Sequence, residues 1–199
     1  MAVVRGQGWV RSATGGEQAD PMSESPADRQ AIHEEMERAR RTFHGLLNTA
    51  DGADLGRRTN GTRWTNQQLL FHMLFGYILI RPLLRLLRIF GHLPRGVSRT
   101  FARLLNAGTK PFDVINYLGP LGGAKVLGRR RMGKAFDRVI ADLHRRLDAE
   151  RETDLALAMH YPTRWDPFFR DVMTVADLYR YPTQHFDFHR QQLTLTPEP

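Results

Sequence analysis

A chain of 199 residues, 41% of them hydrophobic, is long enough to bury the core of one domain without covalent cross-links. The sequence has no cysteine, which excludes disulfides, thiolate catalysis and cysteine-based zinc sites, so any metal ion would need histidine or carboxylate ligands. The net charge of +8 suits an anionic partner, but the strong preference for arginine over lysine is more typical of GC-rich coding than of a phosphate-binding face.

Residues 1–22 contain several glycines and acidic or amide residues and have no apolar period. They predict a disordered tail before a domain that spans residues 23–199, and whether translation starts at Met1 or Met22 stays open. Residues 1–19 contain no apolar segment typical of a signal peptide, which predicts a cytoplasmic location. The most apolar run, residues 69–80, is shorter than the roughly 20 residues of a membrane span, so no transmembrane segment is expected.

Two long helices are predicted in the first half of the chain. Ser25 and Pro26 are typical of a helix start, and apolar residues then recur at steps of three and four up to a stop near Gly52. Thr65 is the expected N-cap of the second helix, whose inward face holds His72 together with Leu69, Met73, Gly76 and Ile80. A lone histidine on an apolar face is usually a core residue bonded to backbone, so the role of His72 depends on what lies beside it.

The chain after the second helix is predicted to be less regular. Pro82 should bend or end that helix, and the leucine and arginine residues of 83–90 indicate an amphipathic piece whose arginines form a solvated face. Residues 91–128 are expected to contain one short helix over 98–106 and a turn-rich stretch at 119–123. A lid over a pocket, a dimerisation surface and an ordinary packed insertion are all compatible with this connection.

Two more helices complete the predicted set. A third begins near residue 124 or 132 and runs to about residue 151, and a fourth begins with a capping box of Thr174 and Asp177. On the fourth helix, His185 and His189 share the inward stripe, and Pro182 predicts a kink one turn before them. No segment alternates as a strand does, so four long helices predict an all-α four-helix bundle with an extra helical insertion between the second and third helices.

The inward histidines are the candidate ligands of a metal ion. His185 and His189 are four residues apart, which places both imidazoles on one face of a helix, and His72 supplies a third. Burying three imidazoles without partners would cost on the order of 1–3 kcal/mol per unmet group, and a shared divalent ion removes that cost. Three protein ligands also leave a coordination position open, as in catalytic metal sites. No inward aspartate or glutamate indicates a general base, so no catalytic residue is assigned.

Two patches of the sequence resemble the DinB-like (YfiT-like) superfamily, which is related to the mycothiol-dependent maleylpyruvate isomerases. One patch leads from Trp64 to His72, and the other is HFDFHRQQL, which begins at His185. The resemblance covers about residues 25–195 and implies a bundle with a pocket at one end, where His72, His185 and His189 bind zinc or nickel. Gln191 stands where the family has glycine, and residues 81–128 are longer and more apolar than the usual connection, which leaves the substrate open.

The resemblance implies a thiol-dependent S-transferase or isomerase, in which the metal ion activates a low-molecular-weight thiol such as mycothiol for attack on a small electrophile. Gln192 is then a partner behind His189, and Arg190 an anchor for a substrate carboxylate. A metal-dependent hydrolase is the alternative chemistry. A second alternative is a non-catalytic, stress-related binding module that uses residues 83–128 on a membrane surface. Nucleic acid is not an expected partner, and a homodimer stays open.

Overall fold

The computed structural model describes residues 26–195, with side chains from residue 28 onwards. The predicted tail, the alternative start at Met22 and the predicted cap Ser25 lie outside the described residues. In chain order, the described elements are α1 (Pro26–Thr49), α2 (Gly52–Gly56), α3 (Asn66–Gly91), α4 (Arg95–Ala107), α5 (Thr109–Val126), α6 (Arg129–Asp148), α7 (Glu152–Leu155), β1 (Ala158–His160), β2 (Val172–Thr174) and α8 (Val175–Arg190).

The helices α1, α3, α6 and α8 form the bundle. Helix α1 packs against α6 and α8, and α3 packs against the same two helices, so α1 and α3 occupy diagonal corners. The predicted apolar stripes are buried where these helices meet, and their core members include Ile32, Met36, Phe43, Met132, Phe136, Ile140 and Leu143. The predicted all-α bundle with a helical insertion is therefore confirmed.

Helix α3 begins directly after the predicted N-cap, Thr65. It was expected to bend or to end at Pro82, and it continues beyond that residue. The Thr65 side chain accepts from the Gln68 backbone N–H, and the Gln68 side chain accepts from the Thr65 N–H, which together form a capping box. The helix passes through Pro82 to Gly91, so the alternative that it ends at Pro82 is wrong. Pro82 and Ile78, whose carbonyl loses its helical donor, both lie on the exposed side of the helix.

By length and composition, α3 is the one helix among the described residues that could cross a membrane. However, 56% of its most apolar window is buried within the fold. Such burial is typical of a core helix, which agrees with the expectation that residues 69–80 do not form a transmembrane segment.

The insertion between the second and third long helices is more regular than predicted. Helix α4 extends the expected short helix, but the predicted turn at residues 119–123 is wrong, because α5 runs through it with Pro120 inside the helix. A Cβ atom on Gly123 would lie 2.0 Å from Cζ of Phe71 on α3. The glycine therefore lets α5 approach α3 closely, and this glycine and proline cluster marks helix packing instead of a turn.

A short antiparallel hairpin precedes α8 and was not predicted. Its register pairs Ala158 with Thr174, Met159 with Met173 and His160 with Val172. Three residues per strand are too few to show a clear alternation of apolar and polar side chains. The hairpin matters because it carries the loop of residues 161–171 to the side of α8.

The last helix, α8, also begins as predicted. Thr174 and Asp177 form the expected capping box, and the helix includes Pro182, which is buried. The kink expected at Pro182 stays a prediction.

Candidate metal centre

Three histidines from two helices meet at one side of the bundle. The ring centroid of His72 on α3 lies 4.8 Å from that of His185 and 4.8 Å from that of His189, both on α8. The centroids of the two α8 rings are 4.4 Å apart. The Nε2 atoms of His72 and His185 are 3.1 Å apart. Two nitrogens that each lie about 2.0–2.1 Å from a tetrahedral zinc ion are about 3.4 Å apart. The His72–His185 pair therefore lies close to ligand spacing, and one nitrogen of each of the three rings lies within 4.8 Å of the others.

Burial keeps the three imidazoles neutral. His72 and His185 are only 5% and 4% exposed, and His189 is partly exposed. Burial, followed by the proximity of His189, lowers the pKa of His72 to about 3. Burial also lowers the pKa of His185 well below its usual value and lowers the pKa of His189. Neutral imidazole is the form that binds metal ions, so the site needs no deprotonation step near pH 7.

The hydrogen bonding of the cluster differs from that of an ordinary core histidine. Among the described residues, Nδ1 of His72 and Nδ1 of His185 have no hydrogen-bond partner. Other histidines of the chain contact carboxylates at shorter distances than His185 does, with N···O distances of 2.9 Å for His33 and Asp148, 2.7 Å for His44 and Asp137, and 3.2 Å for His160 and Asp171. The Nε2 atoms of His72 and His185 contact each other, and the group of three histidines is one that could hold a metal ion.

Gln192 lies directly behind His189. Its Oε1 atom is 2.7 Å from Nδ1 of His189, and an Nδ1–H donated to this oxygen leaves Nε2 of His189 free to act as a ligand. This is the position expected of a residue that orients a metal ligand, and the effect of Gln192 on a bound ion stays a prediction. Arg190 is exposed, and its role as a carboxylate anchor also stays a prediction.

The loop before α3 is hydrogen-bonded to the residues that follow α8. These bonds bring the two sequence patches together. The Asn60 N–H donates to the Gln192 carbonyl at 2.8 Å, and the Thr194 N–H donates to Asn66 Oδ1 at 3.0 Å. Gly61 has a φ of 74°, a backbone conformation that favours glycine and allows the loop to turn there. The two ends of the site are therefore held by hydrogen bonds from backbone N–H groups as well as by the core.

Trp64 forms a wall of the cluster and connects it to the insertion. Its ring centroid is 4.6 Å from that of His72. Its Nε1–H donates to the Tyr117 carbonyl on α5 at 3.3 Å. The insertion therefore contacts the surroundings of the candidate metal site directly.

A carboxylate also lies beside the cluster, so the expectation of no inward aspartate or glutamate is wrong. Asp166 Oδ2 is 3.8 Å from Nε2 of His185, and the Asp166 side chain is 14% exposed. The Tyr181 hydroxyl and the Phe168 N–H each donate to this carboxylate at 2.9 Å. Burial raises the pKa of Asp166. Sequence reasoning missed it because it lies in the hairpin loop, where no helical period indicates which way a side chain points.

An apolar cavity of about 190 Å³ lies on another side of the same loop. Its lining includes Leu86 from α3, Leu105 from α4, and Tyr161, Trp165 and Phe169 from the hairpin. The Tyr161 hydroxyl is buried and has no hydrogen-bond partner among the described residues. The loop at residues 165–169 therefore contributes both to this cavity and, through Asp166, to the surroundings of the histidines.

Gly76 offers a test of how closely the site is packed. A Cβ atom at Gly76 would lie 3.1 Å from Nδ1 of His185, so Gly76→Ala should displace the ring. We expect a folded protein whose zinc affinity falls about tenfold or more, as measured by competition with a chromogenic chelator. Gly45→Ala on α1 is the matched control, because nothing lies within 4 Å of the added atom. Equal zinc affinity in the two variants would show that the position of the His185 ring does not matter.

One of three comparisons with known proteins gave a match. Searches of the curated proteins and of the solved structures found no match. The sequence profile of the DinB superfamily matches residues 35–193, a range that includes all three histidines and most of the chain. The protein therefore belongs to the DinB superfamily.

Proposed function

We propose that the protein binds one divalent ion through His72, His185 and His189 and uses it to activate a low-molecular-weight thiol for S-transfer or isomerisation. The observation that carries this proposal is the convergence of three neutral imidazoles whose nitrogens lie within 4.8 Å of one another. A bound divalent ion lowers the pKa of a thiol in its open position, as it lowers that of water to about 7. The thiol must come from a cosubstrate, because the chain contains no cysteine.

Aromatic residues lie on two sides of the cluster. Trp64 and Phe188 flank the histidines, with ring centroids 4.6 Å from His72 and 5.2 Å from His189 respectively. Asp166 lies beside the cluster and can accept the thiol proton before it passes to solvent. In the proposed transfer the sulfur attacks an electrophilic carbon, a C–S bond forms, the leaving group departs with its electron pair, and the thiol proton passes to solvent.

The apolar cavity supports an electrophile with an apolar portion. Phe169 in the cavity lining packs near Tyr181, whose ring centroid lies 5.8 Å from that of His185, and part of the lining comes from α4 in the insertion. Zinc and nickel are the metals we propose, since imidazole nitrogen suits both.

Hydrolysis is the second candidate, and Asp166 is the observation that favours it. A carboxylate beside an open metal site can orient a water molecule for attack on an ester or amide. The same ligands serve both chemistries, and the difference lies in whether the reaction requires an added thiol.

The test is a transfer assay with a chromogenic aryl electrophile and mycothiol, bacillithiol or glutathione. We expect His189→Ala to reduce the thiol-dependent rate about 100-fold or more, because it removes a ligand. His92→Ala is the control, since His92 is an exposed histidine outside the cluster. Full transfer activity in His189→Ala would contradict the proposal. A thiol-independent ester hydrolysis that disappears in His189→Ala would replace the transferase by a hydrolase.

A further inference from the structure

Exposed apolar side chains are concentrated on one part of the molecule. Ten of the twelve large apolar side chains that are exposed in the described residues lie between residues 78 and 126. On α5, Val114, Ile115, Leu118 and Val126 are 55–70% exposed. At about 100° per residue, these four side chains fall within an arc of about 120°. They form one apolar face that turns away from α3.

The opposite side of α5 is the side that packs on the bundle. Pro120 and Ala124 are buried there, and Gly123 lies against Phe71 of α3. On α4, Val97 and Leu104 are exposed as well, at 45% and 69%. We call Val97, Leu104, Val114, Ile115, Leu118 and Val126 the α4–α5 surface. Exposed apolar side chains concentrated in this way are typical of a surface with a partner.

The charge of the protein is concentrated on the same segment. Residues 81–131 contain eleven basic residues and a single acidic residue, Asp113, whereas the remainder of the chain contains eighteen basic and twenty acidic residues. Lys110 and Lys125 are exposed on α5, and Arg99 and Arg103 are exposed on α4. The positive net charge of the whole chain therefore comes from the segment that exposes the apolar side chains.

We propose that the α4–α5 surface docks onto an anionic lipid bilayer. Apolar side chains would enter the headgroup region, and Lys125, which falls within the same arc of α5, and Lys110, which lies next to it, would contact lipid phosphates. A second copy of the chain fits less well, because pairing of this surface with itself would bring like charges together. The proposal does not depend on the metal centre or on the reaction proposed for it.

Helix α5, which carries most of the α4–α5 surface, also makes hydrogen bonds to residues near the candidate metal site. The Gln67 side chain on α3 donates to the Ala124 carbonyl of α5 at 2.9 Å, and Trp64 donates to the Tyr117 carbonyl of the same helix. Both donors belong to the region that carries His72. A bilayer-bound α5 would therefore be held next to the wall of the site.

The test is co-sedimentation of the full chain with vesicles of phosphatidylcholine that contain about 30% phosphatidylglycerol, at low and high salt. We expect binding that weakens with salt and is much lower on pure phosphatidylcholine. The double substitution Ile115→Asp and Leu118→Asp should lower the partition coefficient about tenfold or more, because two apolar contacts become charges repelled by the lipid. Val172→Asp is the matched control, since Val172 is a 41% exposed apolar residue outside the surface.

A second variant covers the case in which the double substitution impairs folding. Lys110→Glu with Lys125→Glu reverses the charge beside the apolar face without altering it, and should weaken binding to the anionic vesicles alone. Absence of binding at low salt, or equal binding of both variants and the wild type, would overturn the proposal. A wild-type dimer that the double substitution converts to a monomer, with no vesicle binding, would assign the surface to self-association instead.

Discussion

His185→Ala is expected to abolish the thermal stabilisation that zinc gives to the wild-type protein. A ligand at 1,000 times its dissociation constant stabilises the folded state by about 4.1 kcal/mol. For a chain of this size each kcal/mol raises the melting temperature by about 2–4 °C, so zinc should raise it by about 10 °C over the chelator-treated protein. The variant lacks the most buried of the three ligands and should show little shift in calorimetry.

Each protein in this experiment is compared with its own chelated form. This comparison separates loss of the ion from any destabilisation caused by removing a buried side chain. His92→Ala should keep the full shift, because His92 is exposed and lies outside the cluster. The same shift in His185→Ala and wild type would place the zinc at another site.

Phe136→Ala is expected to cause the largest loss of stability in the bundle core. The Phe136 ring is fully buried, and its centroid lies 4.4 Å from that of Phe43, 4.9 Å from Tyr77 and 6.1 Å from Phe186. These partners come from α1, α3 and α8, so the ring joins all four helices of the bundle. Truncation removes buried apolar area and leaves a cavity, which together should lower the free energy of unfolding by about 3–5 kcal/mol in urea.

Phe136→Ala should also weaken metal binding indirectly. Phe186 directly follows His185 on α8, and Tyr77 directly follows Gly76, which faces the His185 ring.

Leu104→Ala is the matched surface substitution for the stability measurement, because Leu104 is 69% exposed, and it should change the free energy of unfolding by less than about 0.5 kcal/mol. A loss below about 1 kcal/mol in Phe136→Ala would show that the ring does not join the helices.

The features that sequence predicts well here are those with a helical period or a local cap. The capping boxes of Thr65 and Thr174 need only residues three positions apart, and both are present. The stripe that contains His72 follows from spacing alone, and the packing of α3 on α8 then brings His72 to His185 and His189. These local patterns are sufficient to predict a bundle and the three residues that meet inside it.

The features that sequence did not predict depend on contacts between distant residues. Asp166 approaches His185 because a hairpin of two three-residue strands holds its loop against α8. Gly123 and Pro120 are helical because α5 packs closely on Phe71, a contact that the local sequence does not contain. Read alone, glycine and proline near residue 120 favour a turn, so the tertiary contact overrides the local preference.

The metal content of the protein, purified without a nickel column, tests the central claim most directly. We predict about one divalent ion per wild-type chain by elemental analysis, and a large loss in His185→Ala, because three imidazoles with an open position bind a single ion. A wild-type protein that is folded but free of metal, and that takes up none on addition of zinc or nickel, would contradict the claim and make His72, His185 and His189 residues of the core.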